Sequence, residues 1–352
     1  MSPPDCRYRY ILIGPAYRGD QASIGGTTVS FELLREYLIQ QGYPCFFIKT
    51  NRFGNSVAPI LNALRVFWSL IKKIKWADWI MLHASPRGVV MFSPALYLIT
   101  RCYGKKWAIR VFGGDFDAYI VKGPIFRKWL FHKVINRSNI MFLQTNALTT
   151  QMKSLHPHIE WMPTSRILPV LEASNKNYLK RFVYVGQLHE RKGIDLLIQL
   201  AEHLPEDYSL HLYGPILDEK YAFLSSSKFY MGTLTPSDVK DIWKSYDILL
   251  FPSNHPGEGY PGVVIEALSH GLPVIAYNWL SLPELITDGR NGFLLTSLEP
   301  SVWMQKILMM NEMVFEALSK HAIHDVKKFS LEAVTAKMIS AMESYPDDSS
   351  RS

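Results

Sequence analysis

Two glutamates eight positions apart, Glu258 and Glu266, stand in the most chemically informative stretch of the chain. It reads Phe251-Pro-Ser-Asn-His-Pro-Gly-Glu258-Gly259-Tyr260-Pro261-Gly262-Val-Val-Ile-Glu266-Ala-Leu-Ser-His-Gly-Leu-Pro-Val-Ile-Ala276. An apolar run enters a Gly/Pro loop. The spacing then predicts a helix over 262–269 and a further strand over 273–277. Glu258 falls at the exit of the first strand, and Glu266 about one turn into the helix. The first amides of a helix have no intrahelical partner and suit oxygen ligands. A carboxylate such as Glu266 can accept hydrogen bonds from both hydroxyls of a vicinal diol, as in a ribose.

A second cluster is Val183-Tyr-Val-Gly186-Gln187-Leu-His-Glu-Arg191-Lys192-Gly193-Ile-Asp195. A strand ends at Gly186 and a helix begins near Gly193. Cations just ahead of a helix N-terminus, with its amides and dipole, make a site for a diphosphate. A third is Gly25-Gly26-Thr27, ahead of the first predicted helix, where glycine lets a backbone come close to a ligand.

The elements that must hold these residues are alternating strands and helices. Arg9–Gly14 reads as a buried parallel strand, followed by a loop with Gly19, Gly25 and Gly26, a helix over 28–41 and a strand over 44–49. A helix over 60–74 follows. Strand-like runs recur at 79–82, 107–111 and 140–144. Between 154 and 180 the pattern dissolves into Pro, His, Ser and Asn, a connector. It restarts with strands at 182–185, 209–213 and 248–251 and a helix at 195–203. Two βα series and one connector imply two doubly wound α/β domains. Ligands of such sheets bind beyond the strand carboxyl ends, so facing domains would enclose a cleft.

Composition excludes several classes. At 352 residues the chain suits two domains, and 48% apolar residues exclude a disordered chain. No run of about 20 apolar residues is present, so no spanning helix is expected. The first residues lack a signal peptide's apolar centre. Cys6, Cys45 and Cys102 are far apart and form no zinc or disulfide pattern. A reduced, cytoplasmic chain without structural metal is the expectation.

Charge is uneven. Residues 41–150 hold sixteen Lys and Arg against three acids, a net of +13, whereas 181–352 hold fourteen against twenty-two, a net of −8. A basic half facing something anionic is implied. Trp68, Lys72, Lys73, Lys75, Trp76 and Trp79 mix aromatic and basic types, as does Phe126-Arg127-Lys128-Trp129-Leu130-Phe131-His132-Lys133. Such mixtures suit a membrane interface or single-stranded nucleic acid.

The stretch around Glu258 and Glu266 resembles the donor-binding signature of the retaining family-4 glycosyltransferases, the glycosyl transferases group 1, which have the GT-B fold. The pattern is a glutamate, seven residues, a second glutamate, then Ala and a Gly-x-Pro-Val strand. It stands here without gaps, and the resemblance extends over almost the whole chain, most specifically 182–293. It implies that Glu258 contacts the transferred sugar and that Glu266 binds the nucleotide ribose. It implies that Lys192 meets the diphosphate. The family's usual Arg after the first glycine is Gln187 here, and Arg191 is the candidate replacement. Gly25, Gly26 and Thr27 would approach the donor phosphates, with Gly186 and Gln187 in the opposite domain. Gly214 and Leu234 would line the base pocket, and Gly259, Tyr260, Pro261 and Gly262 would form the donor loop. Glu284 matches a family glutamate that lies behind the site.

On the acceptor side the family often has a His where this chain reads Phe112-Gly113-Gly114-Asp115. Asp115 is the candidate to hydrogen-bond the acceptor or receive its proton. His83 reads best as a satisfied buried histidine. The resemblance implies a retaining transfer from a nucleotide diphosphate sugar to a glycan, lipid-linked in many of these enzymes, with no cofactor. No metal is expected on the diphosphate, because no Asp-x-Asp motif is read in the chain. It favours an anionic membrane over nucleic acid as the partner of the basic half, hence a chain peripheral on the inner membrane face. Expected domains are 1–165 and 178–325, a linker at 166–177, and a C-terminal segment 326–352 whose helix near 331–342 crosses back onto the first domain and ends in a polar tail. A same-fold nucleotide-sugar epimerase and a non-catalytic binding protein are the alternatives.

Overall fold

The computed structural model describes residues 8–17, 25–50, 58–121, 123–170, 176–235 and 238–346. Gly19, the connector centre 171–175 and the tail 347–352 lie outside the described residues, as does Cys6. The chain divides into two compact units: Met1–Ile167 with Leu331–Ser352, and Leu168–Ser330.

In the first unit the order is β1 (Tyr10–Gly14), α1 (Gly26–Gln40), β2 (Cys45–Lys49), α2 (Ala58–Lys73), β3 (Trp79–Ala84), α3 (Pro86–Cys102), β4 (Lys106–Val111), α4 (Phe116–Val121), α5 (Ile125–Lys133), β5 (Ile140–Leu143), α6 (Asn146–Met152) and β6 (Ile159–Trp161). The six strands form one sheet in the order β2-β1-β3-β4-β5-β6. Every described pairing in it is parallel. Strands buried on both faces read as unbroken apolar runs. β1 and β3 show this, with all their residues buried.

Alternate strand residues feed two cores. Ile80, Leu82, Ile109 and Val111 pack with Val66 and Leu70 of α2, Phe92 and Leu96 of α3, and Leu130 and Phe131 of α5. Leu12, Met81, Ala108 and Phe142 pack on the other face with Phe31 and Leu34 of α1. Val334, Met338 and Met342 of the last helix (Leu331–Glu343) complete that second core. Arg166 O accepts the amide of Leu331 at 2.8 Å, where this helix enters the unit.

The second unit contains β7 (Arg181–Val185), α7 (Ile194–His203), β8 (Ser209–Tyr213), α8 (Asp238–Ile242), β9 (Ile248–Phe251), α9 (Gly262–Ser269), β10 (Val274–Tyr277), α10 (Leu282–Leu285), β11 (Gly292–Leu295), α11 (Pro300–Leu308) and α12 (Glu312–Asp325). The last helix of the chain is α13. The sheet order is β11-β10-β9-β7-β8, again with parallel pairings.

Two strands escaped the sequence reading. β6 has three residues inside the Pro- and His-rich connector, too short for periodicity to register. β11 follows a tight turn and pairs Gly292 with Val274. Each unit is a doubly wound α/β layer structure, as expected.

Candidate active site

Two βα loops carry the site at the carboxyl edge of the second sheet. The first leaves β7 at Gly186, makes a single turn over Glu190–Lys192 and enters α7 through Gly193. The second leaves β9 at Phe251 and enters α9 through Pro261. Neighbouring strands place them side by side, and the amide of Asn254 donates to Arg191 O at 3.0 Å. Gly193 makes this approach possible. Its φ is +73°, and a Cβ there would lie 2.7 Å from both Cβ and O of Pro252.

The geometry brings Lys192 and Glu258 together. Lys192 Nζ donates to Glu258 Oε2 at 2.5 Å, and Ser253 Oγ donates to the same oxygen at 2.8 Å. The side chains are only 16% and 11% exposed, so the pair is partly desolvated yet reachable. Lys192 also sits just ahead of α7, where the helix dipole favours an anion. Arg191 is exposed beside it, and Gln187 is exposed too. The Gln187 carbonyl accepts the hydroxyl of buried Tyr184 at 2.9 Å, so this residue shapes the loop through its backbone.

Gly186 and Gly214 end adjacent strands. Gly214 has φ +139°, and a Cβ there would stand 1.8 Å from Gly186 O. Only glycine fits that crossing. Leu234 is half-buried in the irregular segment after Gly232. Gly259 O accepts Ser281 Oγ at 2.5 Å. Tyr260 is buried, donates its hydroxyl to Glu284 and packs edge-on against Phe329 at 5.6 Å. It anchors this loop from behind rather than facing out of it. Pro261 caps α9, Gly262 is its first residue, and Glu266 is its fifth, half-buried.

Three further residues at this edge were not singled out from the sequence. Ser253 holds the carboxylate, as above. His255 Nδ1 accepts the amide of Gly257 at 2.9 Å, which leaves the ring proton on Nε2. Its carbonyl accepts the Trp279 indole N–H at 2.9 Å, so the residue is held from two sides. His189 meets it edge-on at 5.8 Å. Burial, reinforced by the Lys192 ammonium, lowers the basicity of both rings. Only folding puts these loop residues beside Lys192. The Pro-Ser pair after β9 was the one local signal.

The other predicted residues belong to the first unit. Gly25 precedes α1 in an extended conformation, Gly26 begins the helix and Thr27 is half-buried. Beyond the adjoining backbone, no described atom lies within 4 Å of where a Cβ would stand at Gly25 or Gly26. Neither has positive φ, so the fold itself does not demand glycine there. Asp115 is half-buried just before α4. Asp115-Phe116-Asp117 is an Asp-x-Asp triplet, so the absence of that motif is corrected and no longer argues for a metal-free diphosphate. Asp117 accepts Gln151 Nε2 at 2.9 Å. Among the described residues no group of three His, Cys, Asp or Glu could hold a metal ion.

His83 corrects its expectation. It is fully buried on β3, but neither ring nitrogen has a hydrogen-bond partner among the described residues. It pairs in register with Arg110 of β4, which is equally buried. Arg110 Nη2 donates to Pro163 O at 2.9 Å, whereas Nη1 has no partner among the described residues. Burial and then the Arg166 charge push the Arg110 pKa down to about 9. Burial and then Arg110 hold His83 well below the usual histidine range, so it is neutral.

Residues 179–312 match the family described as Glycosyl transferases group 1. The sulfoquinovosyl transferase SQD2 of Arabidopsis thaliana is 28% identical over 163 residues, 44% of this chain and 32% of that protein. The O-antigen chain mannosyltransferase B of Escherichia coli is 23% identical over 219 residues, 55% of this chain and 53% of that protein. The chain thus spans well under two thirds of the length of these relatives. Among solved structures, Anabaena HepE in complex with UDP and glucose superposes with a TM-score of 0.71 at 13% identity, covering 96% of this chain and 100% of that one. Sucrose-phosphate synthase of Thermosynechococcus elongatus gives 0.72 at 15% identity, covering 96% and 98%. The fold is that of the GT-B glycosyltransferases, and residues 179–312 carry the likeness to glycosyl transferases group 1.

Proposed function

We propose that this chain is a retaining glycosyltransferase that moves a sugar from a nucleotide diphosphate sugar to a saccharide acceptor carried on a lipid. The observation that carries the reading is the Lys192–Glu258 pair, set where two βα loops meet at the sheet's carboxyl edge. A diphosphate at this edge meets the Lys192 ammonium, the Arg191 guanidinium and the first amides of α7. Their electrostatic effect grows as negative charge builds on the leaving oxygen, which lowers the barrier rather than only the binding energy. Glu258 then accepts hydrogen bonds from hydroxyls of the sugar being moved, and Glu266 from the ribose. The leaving oxygen itself takes the acceptor proton, and Asp115 is the candidate group on the acceptor side. In this reading the diphosphate charge is met without a metal.

Solved neighbours hold UDP and UDP-glucose, which supports a nucleotide-sugar donor. The test is a donor screen across UDP-, GDP- and ADP-sugars. It follows nucleotide release with and without a membrane lipid extract as acceptor, in the presence and absence of EDTA. Product anomers are then read by NMR. Nucleotide release dependent on the extract, unchanged by EDTA, with the donor's anomeric configuration kept, supports the reading. Sugar isomerisation without any acceptor would reassign the chain as an epimerase. An inverted anomer would rule out retention, and loss of activity with EDTA would rule out metal independence.

A further inference from the structure

The helices α2, α3 and α5 form one layer. Their buried residues share a single core on one face of the first sheet, and α3 packs against both of the others. Their opposite sides therefore point outward together. Along α2 the outward stripe is Leu61, Leu64, Trp68 and Ile71, the spacing of one helical face. Along α3 it is Met91 and Leu98. On α5 it is Ile125, Phe126 and Trp129. Trp68 is 61% exposed, Ile125 85% and Trp129 59%, far from the few per cent of core residues. One apolar side chain in the open is ordinary, but three adjacent helices each with a stripe are not.

The charge on this layer has one sign. None of the three helices contains Asp or Glu. Each carries Lys or Arg, and those in the last turns of the helices, Lys72 and Lys73 of α2, Arg101 of α3 and Lys133 of α5, are exposed. Lys72 Nζ lies 5.0 Å over the exposed Trp68 ring, and Arg101 Nη1 donates to the half-buried Tyr97 Oη at 2.9 Å, so cations flank aromatic groups of this layer. Apolar stripes beside cations without acids fit a layer whose surface is anionic and whose interior is hydrocarbon. The aliphatic majority, Leu61, Leu64, Ile71, Met91, Leu98 and Ile125, offers nothing for a nucleic-acid base to stack on. A protein partner would need its own acidic, apolar complement, whereas an anionic leaflet supplies both.

We propose that the outward face of α2, α3 and α5 docks on an anionic lipid leaflet, with the apolar stripes inserted at headgroup depth and the cations above the phosphates. The proposal is independent of the transfer reaction, and its test does not use activity. The full chain is sedimented with vesicles of phosphatidylcholine alone, and of phosphatidylcholine with an equal amount of phosphatidylglycerol, at low and high salt. Indole fluorescence is followed with lipids brominated near the headgroup. Binding to the anionic vesicles that weakens with salt, together with indole quenching, is expected. Changing Lys72, Lys73 and Lys133 together to Gln should lower anionic partitioning roughly 150-fold. Leu64→Ser with Trp68→Ser and Trp129→Ser should abolish quenching. Unaltered circular dichroism and thermal unfolding show that each variant is folded. Equal partitioning of parent and both variants would overturn the proposal. So would a concentration-dependent dimer that the serine variant loses, or oligonucleotide binding at 150 mM salt that the glutamine variant loses.

Discussion

The two units treat buried charge in opposite ways. In the second, Asp247 is completely buried and accepts from the amides of Leu179 at 2.8 Å and Arg181 at 2.9 Å, and from Arg181 Nη2 at 2.8 Å. At the opposite, carboxyl edge of the same sheet, Lys192 has Glu258, and Glu258 has Ser253 as well. In the first unit, Arg110 and His83 are as deeply buried as Asp247, and no carboxylate bonds either of them among the described residues. A satisfied buried ion costs little beyond its own desolvation. An unsatisfied one leaves its full penalty in place, about 1–3 kcal/mol or more. The second unit therefore gives its buried carboxylate and its Lys192–Glu258 pair bonded partners. The first holds an uncompensated cationic, imidazole-bearing layer near the carboxyl end of its sheet.

Four experiments break or sharpen that contrast. The largest effect belongs to Lys192. Lys192→Ala should lower kcat by roughly 100-fold or more, since one such electrostatic group is commonly worth about 2.7–4 kcal/mol in the transition state. Steady-state kinetics separate this from a change confined to KM, which would make Lys192 a binding group only. Glu266→Ala comes next. Loss of charge-assisted hydrogen bonds worth about 1.5–3 kcal/mol should weaken nucleotide diphosphate binding roughly 10- to 150-fold by calorimetry. A folded variant that binds as the parent does removes the ribose role.

His83→Leu should behave unlike either. It replaces an unpartnered polar ring by an apolar side chain of similar size, so stability should be unchanged or raised by about 1 kcal/mol in chemical denaturation. A loss of several kcal/mol would mean that the imidazole has a partner in solution.

The smallest effect is on pH. Burial depresses both His83 and His156, and His156 Nδ1 already accepts the amide of His158 at 3.1 Å, a bond that protonation would break. Their folded pKa values lie below the unfolded value of about 6.5, so the unfolded chain takes up more protons in acid. Stability is then full above pH 6.5 and falls as pH drops from about 6.5 towards the folded values. His83→Leu should flatten part of that slope. A midpoint of thermal unfolding that is level between pH 7 and pH 5 in the parent would contradict it.

The elements were legible because their signals are local. Buried parallel strands announce themselves as short apolar runs, and α1, α2 and α9 through helical spacing. The strand-to-loop-to-helix passage around Glu258 is contiguous in sequence, so its loop and helix could be placed to within a residue or two. Charge asymmetry pointed to the basic half but not to a surface. Trp79, read with Trp68 and Trp76 as one aromatic and basic group, is wholly buried against α13's side of the sheet, whereas Trp68 is outside. Leu61, Met91 and Leu98 were indistinguishable from core residues until their helices had a buried side.

By itself, then, the sequence determined two βα series, the loop that presents Glu258 and Glu266, and the imbalance of charge. These follow from spacing and composition, which act over a few residues. Only the tertiary structure decided that Lys192 reaches Glu258 across 66 positions, that Gly193 must be glycine because Pro252 lies against it, that His255 stands beside His189, and that Arg110 faces His83 without a carboxylate. Each of those pairings joins residues far apart in the chain. Strand order and packing set them, and no local propensity encodes which loop will lie beside which.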